Sequence, residues 1–330
     1  MGADTVRSVR EWLVAADDRT GAFEVAALFA QLVGPVTVTV GDAPNGSGVV
    51  DIGSRAMSLG DAARVASAID ASPSAWVAHK IDSTLRGNWA AELRARQGTT
   101  DRRVVVLPGW PEMGRTCVGG VVHVDGQPIG NVLDHLGDAD LVADASELSA
   151  WLAGAGRIVV CDVPNSQAMH AAAAALVGHD VLLAGPAGSL GAAFAAGRPA
   201  VPTDGAVAID KPALVICGSA NPISREQVLR LRSIEVIAAD TPDGALHPQV
   251  VSALAAQARL RIERLQPRIV VIIGGETAAA VLGDAPRTVS GFAAAGMPWS
   301  LDDDGPVVVT KAGGFGGPDA LIDLLCGENG

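Results

Sequence analysis

Polar residues that could do chemistry follow directly after predicted strands. Asp17 and Asp18 come after the apolar run at residues 12–16, and a stretch with helical period begins at Ala22. Open α/β folds bind ligands at the carboxyl edge of the sheet, so two adjacent carboxylates at that edge suit ligand binding. The alternative is that Asp18 only caps the helix.

A denser polar segment, residues 79–88, also follows a predicted strand. It combines a cation, a carboxylate, two hydroxyls and an arginine. Such mixed polarity suits a small polyhydroxy acid whose hydroxyl proton is accepted by a carboxylate. The alternative is a helix cap at Asp82 or Asn88 with solvated neighbours. The candidate binding residues in this segment are Lys80, Ile81, Asp82, Ser83 and Arg86.

Two arginines are candidates for binding the carboxylate of an acid substrate. Arg55 closes the segment 51–55, and Arg115 lies in 114–120, whose glycines could expose backbone N–H donors. A guanidinium binds a carboxylate through two parallel hydrogen bonds, which favours this role. Surface ion pairs, and an ordinary glycine-rich turn at 114–120, are the alternatives.

Three glycine-containing turns in the second half of the chain each follow a predicted strand, at 217–221, 274–277 and 311–317. Glycine lets a backbone approach phosphate closely, and N–H groups at a helix start bind anions. Neither GxGxxG nor GxxxxGK[ST] occurs in these turns. Each turn could be purely structural, but together they favour a nucleotide site. The candidate residues there are Ser219, Gly274, Gly275, Glu276, Thr277, Lys311, Gly313 and Gly314.

These motifs need a framework of alternating strands and helices. Short β-branched runs recur with alanine-rich stretches of helical period between them, which is the rhythm of a mostly parallel sheet. We predict an α/β fold of two domains, each a mostly parallel sheet flanked by helices, with a cleft between them. The domains are expected at 1–200 and 211–330, joined by a linker at 198–212. Predicted strands lie at 12–16, 36–40, 76–79, 104–107, 158–161, 181–184, 214–217, 235–238, 269–273 and 307–310, and predicted helices at 22–32, 58–71, 89–97, 146–152, 166–176, 224–231 and 248–264.

Composition excludes several classes of protein. The 330 residues are 49% apolar with a formal charge of −12, which disfavours a nucleic-acid partner. Apolar runs fall short of the roughly 20 residues that span a bilayer. The first residues lack a signal-peptide pattern, so we expect a cytoplasmic protein with no membrane partner. Four cysteines fit no CxxC spacing and are expected to be buried free thiols.

Taken together, the motifs resemble those of the four-carbon acid sugar kinase family. Its ADDxTGA and KxDSTLRGN segments are matched by residues 16–22 and 80–88, and the later segments follow in the same order. The resemblance implies a sugar-acid-binding domain at 1–200 and an ATP-binding domain at 211–330, with Mg²⁺ accompanying ATP. It implies that the sugar acid, such as threonate, erythronate or an oxo form, is bound by Asp18, Arg55 and residues 80–83, with Asp17 and Arg115 also considered. It implies that ATP is bound by Ser219, residues 274–277 and Gly314.

Under this hypothesis Asp82, or else Asp18, accepts the proton of the attacking hydroxyl, and Lys80 stabilises charge. No metal-ligand set is predicted, and a homo-oligomer is left open. One alternative is a non-catalytic metabolite- or nucleotide-binding regulatory protein of the same fold, suggested by Ala312 where the family usually has serine and by a short first domain. A nicotinamide-dependent dehydrogenase is the other, and it lacks the expected fingerprint.

Overall fold

The computed structural model describes residues 10–71, 73–199, 212–241, 246–301 and 305–326. The chain forms two compact units. The first contains residues 1–17 and 39–200, and the second contains residues 18–38 and 201–330. The predicted linker at 198–212 lies almost entirely outside the described residues.

The strands and helices alternate along most of the chain. The strands are β1 (Arg10–Ala16), β2 (Val36–Val40), β3 (Gly48–Asp51), β4 (Ser74–Lys80), β5 (Arg103–Val106), β6 (Arg115–Val118), β7 (Val121–Val124), β8 (Gln127–Asn131), β9 (Asp140–Val142), β10 (Ile158–Cys161), β11 (Val181–Gly185), β12 (Ala213–Cys217), β13 (Glu235–Ala238), β14 (Ile269–Ile273), β15 (Arg287–Ala294), β16 (Met297–Leu301) and β17 (Val307–Lys311). The α-helices are α1 (Arg19–Val33), α2 (Leu59–Ala68), α3 (Trp89–Thr100), α4 (Val132–Leu136), α5 (Ala145–Ala153), α6 (Ser166–Ala175), α7 (Ala187–Ala195), α8 (Pro222–Leu229), α9 (Pro248–Leu265), α10 (Gly275–Leu282) and α11 (Ala320–Cys326).

Every strand and helix predicted from the sequence is present, with ends shifted by a few residues. The sequence missed the shorter or less regular elements. Helix α7 has two glycines in nine residues, which lowers its helix propensity. Strands β15 and β16 pair with two register shifts, which blurs their alternation. The other missed elements are β3, β6, β7, β8, β9, α4, α10 and α11.

The first unit is built on a parallel sheet of order β3-β1-β4-β11-β5-β10-β9. Most residues of its central strands are buried, as expected of a parallel sheet covered on both faces. Trp89 and Leu93 of α3 pack against β4, β5, β10 and β11 in one apolar cluster. A small antiparallel sheet, β6-β7-β8, contributes Cys117 and Val122 to the same cluster. Most of the segment considered as a glycine-rich turn is therefore strand β6.

The second unit has a mixed sheet of order β13-β12-β14-β17-β16-β15-β2. Strands β13, β12, β14 and β17 are parallel, and β17, β16, β15 and β2 pair antiparallel. Apolar clusters cover both faces of the parallel part. The two domains predicted from sequence therefore each have a mostly parallel sheet with helices, although the second sheet ends in an antiparallel extension.

Residues 18–38 belong to the second unit, although the sequence placed them in the domain at 1–200. Helix α1 packs against β15 and α10, and β2 pairs with β15. Nearly every residue in the first half of α1 is buried, so the helix needs apolar neighbours on several sides. The local sequence pattern does not indicate that residues 18–38 pack in the second unit.

Two further expectations meet the structure here. Cys117, Cys161 and Cys217 are buried free thiols as predicted, but Cys326 is exposed. Helix α11 buries Leu321, Leu324 and Leu325, and position 326 falls off that face. None of the helices formed by the described residues is long and apolar enough to span a membrane.

Candidate active site

Three adjacent strands of the first unit carry the predicted sugar-acid residues to one edge. Asp51 of β3 and Lys80 of β4 both pair in register with Ala16 of β1. The strands are parallel, so Asp17 and the segments following Asp51 and Lys80 emerge side by side. The structure therefore brings together Asp17, Arg55 and residues 80–88, which lie far apart in the sequence.

Asp17 and Arg55 form a bidentate ion pair at this edge. Arg55 Nε donates to Asp17 Oδ2 at 2.8 Å, and Arg55 Nη2 donates to Oδ1 at 2.9 Å. Asp17 is completely buried, whereas 26% of the Arg55 side chain is exposed. The same Arg55 Nη2 lies 3.4 Å from Asp82 Oδ1. Asp17 thus holds the guanidinium against the second carboxylate.

Several donors and positive charges stabilise the ionised form of Asp82. It accepts hydrogen bonds from Arg86 Nε and Nη2, both at 2.9 Å, and from the Thr84 hydroxyl. Burial by itself would raise the pKa of Asp82, but hydrogen bonds from Arg86 and the charges of Arg55, Arg86 and Lys80 hold it well below its ordinary value. Asp82 is therefore ionised at neutral pH and is a weak base.

The loop after β4 has an unusual backbone. Leu85 has φ 63° and Gly87 has φ 89°, both in the left-handed region. A Cβ at Gly87 would lie 3.3 Å from Asp17 Oδ2 and 3.5 Å from Arg55 Cγ. Asn88 Nδ2 donates to the carbonyls of Ser54 and Met57, at 3.1 and 3.0 Å. The loop is thereby fastened to the segment that carries Arg55.

Lys80 is a buried cation. Lys80 is 4% exposed, and its Nζ donates to the Ile81 carbonyl at 2.7 Å. Among the described residues, no carboxylate oxygen lies within 4 Å of Nζ. A buried ammonium needs a compensating partner, so this arrangement suits an anionic ligand.

The remaining residues predicted for the sugar acid are placed differently. The Ile81 side chain lies in the apolar cluster, which leaves only its backbone for a ligand. Ser83 is half-buried, and 68% of the Arg86 side chain is exposed. Arg115 lies on β6 and donates through Nη1 to the Met113 carbonyl.

The backbone donors expected at 119–120 are already used. The N–H groups of Gly119 and Gly120 donate to the Asp162 carboxylate at 2.6 and 2.9 Å. This expectation was wrong, because a carboxylate 43 residues along the chain from Gly119 satisfies the turn. The role of Asp162 is to fasten the β6-β7 turn.

A buried polar network lies beneath Lys80, and sequence reasoning missed it. His79 Nε2 is 2.8 Å from Glu92 Oε2, and both side chains are fully buried. Arg96 donates to both oxygens of Asp70, at 2.8 and 2.9 Å, and to the Ala78 carbonyl at 2.6 Å. Glu92 and Arg96 are four residues apart on α3, so they share a face, and this spacing was the available signal.

In the second unit, the three predicted glycine turns converge. They follow β12, β14 and β17, which are neighbours in the sheet. A Cβ at Gly313 would lie 2.3 Å from Ser219 Oγ, and one at Gly274 would lie 3.6 Å from the Ser219 nitrogen. Gly314 lies close to the Asn221 side chain. Glu276, in contrast, is exposed on the first turn of α10.

Thr277 places an unsatisfied hydroxyl in these turns. Its Oγ1 is buried and has no hydrogen-bond partner within the described part of the chain. A Cβ at Gly218 would lie 1.8 Å from this oxygen, so only glycine fits there. The hydroxyl lies at the amino end of α10, where backbone N–H groups favour an anion. A ligand with acceptor oxygens could accept hydrogen bonds from both the Thr277 hydroxyl and the N–H groups at the start of α10.

Asp18 lies at the same turns and not with residues 80–83. It caps α1, with Oδ1 accepting from the Gly21 N–H at 2.9 Å and Oδ2 accepting from the Thr20 hydroxyl at 2.6 Å. A Cβ at Gly275 would lie 2.6 Å from Asp18 Oδ2. Asp18 therefore does cap the helix, and the same carboxylate lies beside a glycine turn of the second unit.

Lys311 repeats the arrangement of Lys80. It ends β17, is fully buried, and its Nζ donates to the Ala312 carbonyl at 3.1 Å. Burial lowers the pKa of Lys311 to about 8. No carboxylate oxygen of the described residues lies within 4 Å of Nζ. Each unit therefore ends a central strand in a buried lysine that can receive an anion.

Comparisons with known proteins agree with this geometry. A family model for a sugar-binding N-terminal domain matches residues 12–135. A D-threonate kinase of Cupriavidus necator is 34% identical over 67% of this chain and 63% of its own length. A D-threonate kinase of Bordetella bronchiseptica is 29% identical over 94% of this chain and 95% of its own length. The chain thus spans less than two thirds of the first of these relatives.

The fold recurs in a solved structure from Salmonella typhimurium, of a protein described as a tRNA synthase candidate. It is 19% identical, has a TM-score of 0.75, and the match covers 94% of this chain and 98% of that one. Fold and site together define an α/β protein of two units, each with polar turns at the carboxyl edge of its parallel strands. These matches support the four-carbon acid sugar kinase family, whose motifs this chain resembles.

Proposed function

We propose that this protein is an ATP-dependent kinase that phosphorylates a hydroxyl group of a four-carbon sugar acid. The observation that carries the proposal is the pair of buried lysines, Lys80 and Lys311, neither of which has a carboxylate oxygen of the described residues within 4 Å of Nζ. One lysine per unit fits one anionic substrate per unit. The names of the two D-threonate kinases support the same reaction class.

The first unit is assigned the sugar acid. Lys80 supplies positive charge for the substrate carboxylate or the transferred group, and Asp17 holds Arg55 in place beside it. Asp82 is ionised and can accept a hydrogen bond from the attacking hydroxyl. Its low basicity is acceptable, because phosphoryl transfer through a loose transition state depends mainly on positioning and charge neutralisation.

The second unit is assigned the nucleotide. The fit is supported by the unsatisfied Thr277 hydroxyl, the amino end of α10 and the buried Lys311. Close contacts at Gly218 and Gly313 exclude side chains from the turns and leave backbone for the phosphates. Ser219, which follows Gly218 in the first of these turns, lies close to Gly274 and Gly313 of the other two.

Mg²⁺ is proposed to accompany the nucleotide and to neutralise phosphate charge when bound. Within the described residues, no three His, Cys, Asp or Glu side chains are grouped to hold a metal ion. Magnesium in kinase sites is usually held by one or two carboxylates together with substrate phosphates. Asp18, next to Gly275, is the carboxylate that we propose for this contact.

An ADP-release assay tests the proposal. The purified protein would be incubated with Mg²⁺-ATP and the D and L forms of threonate and erythronate, with an Asp82→Asn variant alongside. We expect turnover with one acid and a loss of at least about a hundredfold in the variant. Asp134→Asn, an exposed substitution in the same unit, serves as the matched control. Nucleotide binding without turnover on any acid would instead favour the regulatory alternative.

A further inference from the structure

One side of the last glycine loop, residues 312–317, is fastened by two side chains of α8. The two N–H groups of Gln227 Nε2 are shared among three carbonyl oxygens, those of Phe315, Gly316 and Gly317, at 3.1, 3.2 and 2.7 Å from the nitrogen. Ser224 Oγ donates to the Gly313 carbonyl. Ser224 and Gln227 are both fully buried. One buried amide group therefore orients three successive carbonyls, and a hydroxyl orients a fourth.

The orientation of these carbonyls fixes the direction of the neighbouring N–H groups. In a trans peptide the C=O of one residue and the N–H of the next point in opposite directions. Because the carbonyls of Gly313, Phe315 and Gly316 face α8, the N–H groups of Gly314, Gly316 and Gly317 face away from it. Successive N–H groups exposed in this way form an anion-binding concavity.

These three N–H groups are available to a ligand. Within the described part of the chain, nothing accepts a hydrogen bond from the N–H of Gly314, Gly316 or Gly317. Gly316 has φ 81°, a conformation that a nest of N–H groups requires and that side chains disfavour. Lys311 directly precedes this loop and adds a buried ammonium group.

We propose that Gln227 and Ser224 are positioning residues that aim the N–H groups of Gly314, Gly316 and Gly317 at the phosphate chain of the nucleotide. The proposal rests on the proposed function and extends it to two residues outside the motif. Neither residue contacts the nucleotide; each acts through the loop. We therefore predict that removing the hydrogen bonds of Gln227 or Ser224 to the loop weakens phosphate binding selectively.

Gln227→Met tests this, since methionine keeps the length of the side chain and removes its donors. Binding of ATP, tripolyphosphate and adenosine would be measured by calorimetry, together with KM for ATP and for the sugar acid. We expect the affinities for ATP and tripolyphosphate to fall about tenfold or more, with adenosine affinity and the sugar-acid KM changed less than about twofold. Gln257→Met, on the exposed face of α9, is the matched control.

Several outcomes would overturn the inference. Unchanged affinity for ATP and tripolyphosphate in Gln227→Met is one, and an equal loss for adenosine is another, since that would show general damage to the unit. If Gln227→Met does not fold, Ser224→Ala is measured in its place, with a smaller but equally selective loss expected. A parent protein that binds neither ATP nor tripolyphosphate also overturns it. A parent that binds ATP but phosphorylates no acid would contradict only the proposed function.

Discussion

Asp17 accepts two hydrogen bonds from Arg55 in a fully buried position, at 2.8 and 2.9 Å. The pair joins the end of β1 to the segment after β3, and it presents the guanidinium to Asp82. A buried ion pair is a weak source of net stability, but breaking it leaves an uncompensated charge. The pair is therefore the most sensitive point of the first-unit site.

Asp17→Asn should destabilise the protein by about 2 kcal/mol, since the amide nitrogen of asparagine opposes a donor of Arg55. Urea unfolding would measure the change. The same variant should raise KM for the sugar acid, because Arg55 loses its fixed position. Asp61→Asn breaks an exposed pair with Arg64 and should leave unfolding unchanged. Equal stability of the two variants would contradict the importance of the buried pair.

Gly87→Ala should lower stability by about 1–2 kcal/mol and reduce activity. The alanine would have to adopt φ 89°, and its Cβ would lie tightly against Asp17 Oδ2, at 3.3 Å. Gly126→Ala provides the control, because Gly126 has φ 79° and a Cβ added there would have no atom within 4 Å. The difference in unfolding free energy between the two variants isolates the contact with the ion pair. No difference would show that only the backbone conformation matters.

ATP affinity should fall as pH rises above about 8. Burial depresses the pKa of Lys311 from 10.5 to about 8, so the lysine loses its charge in this range. Calorimetry in buffers of different ionisation enthalpy should detect proton uptake on ATP binding near pH 8.5. Lys311→Met should bind ATP weakly and without this pH dependence. A parent affinity that is constant from pH 7 to 9.5 would contradict the assignment.

The stability of the nucleotide-free protein should change in the opposite sense. Between pH 8 and 10.5 the unfolded chain binds more protons at Lys311 than the folded chain does. The contribution of Lys311 to the free energy of unfolding therefore increases as the pH rises from 8 to 10.5. Comparing the parent with Lys311→Met by thermal unfolding at several pH values isolates the contribution, and parallel curves would contradict it.

The network beneath Lys80 should show strong coupling. Glu92→Leu alone should cost about 3 kcal/mol, because His79 loses its buried partner, and His79→Leu alone should cost a similar amount. The double variant should cost less than the sum, since no unpaired polar group remains between the two positions. Glu92→Gln, which keeps an acceptor for His79, should cost least. Additive single effects in the double-mutant cycle would show that the pair is not coupled.

Thiol labelling checks the corrected cysteine assignment. One thiol, Cys326, should react in the native protein, and all four should react after unfolding. Burial raises the pKa of Cys161 to about 12 and also raises the pKa values of Cys117 and Cys217, so these thiols remain protonated and protected. Rapid labelling of more than one native thiol would contradict the burial pattern.

The strongest sequence predictions concern features that are local in the chain. The order of the predicted strands and helices, and the turns that follow β1, β4, β12, β14 and β17, depend on runs of a few residues each. Parallel strands bring their carboxyl ends to one edge, which is why Asp17 lies near residues 80–88 in the structure. Features that depend on distant partners were missed, such as the use of Gly119 and Gly120 by Asp162.

The sequence by itself determined the fold class, the resemblance to a kinase family and the chemical types of the residues at each strand end. Only the tertiary structure decided that Asp18 contacts Gly275 while its neighbour Asp17 pairs with Arg55. It also decided that Gln227 orients carbonyls 88 to 90 residues away. The physical reason is that periodicity reports which face of an element is buried, whereas hydrogen-bond partners are set by which elements pack together.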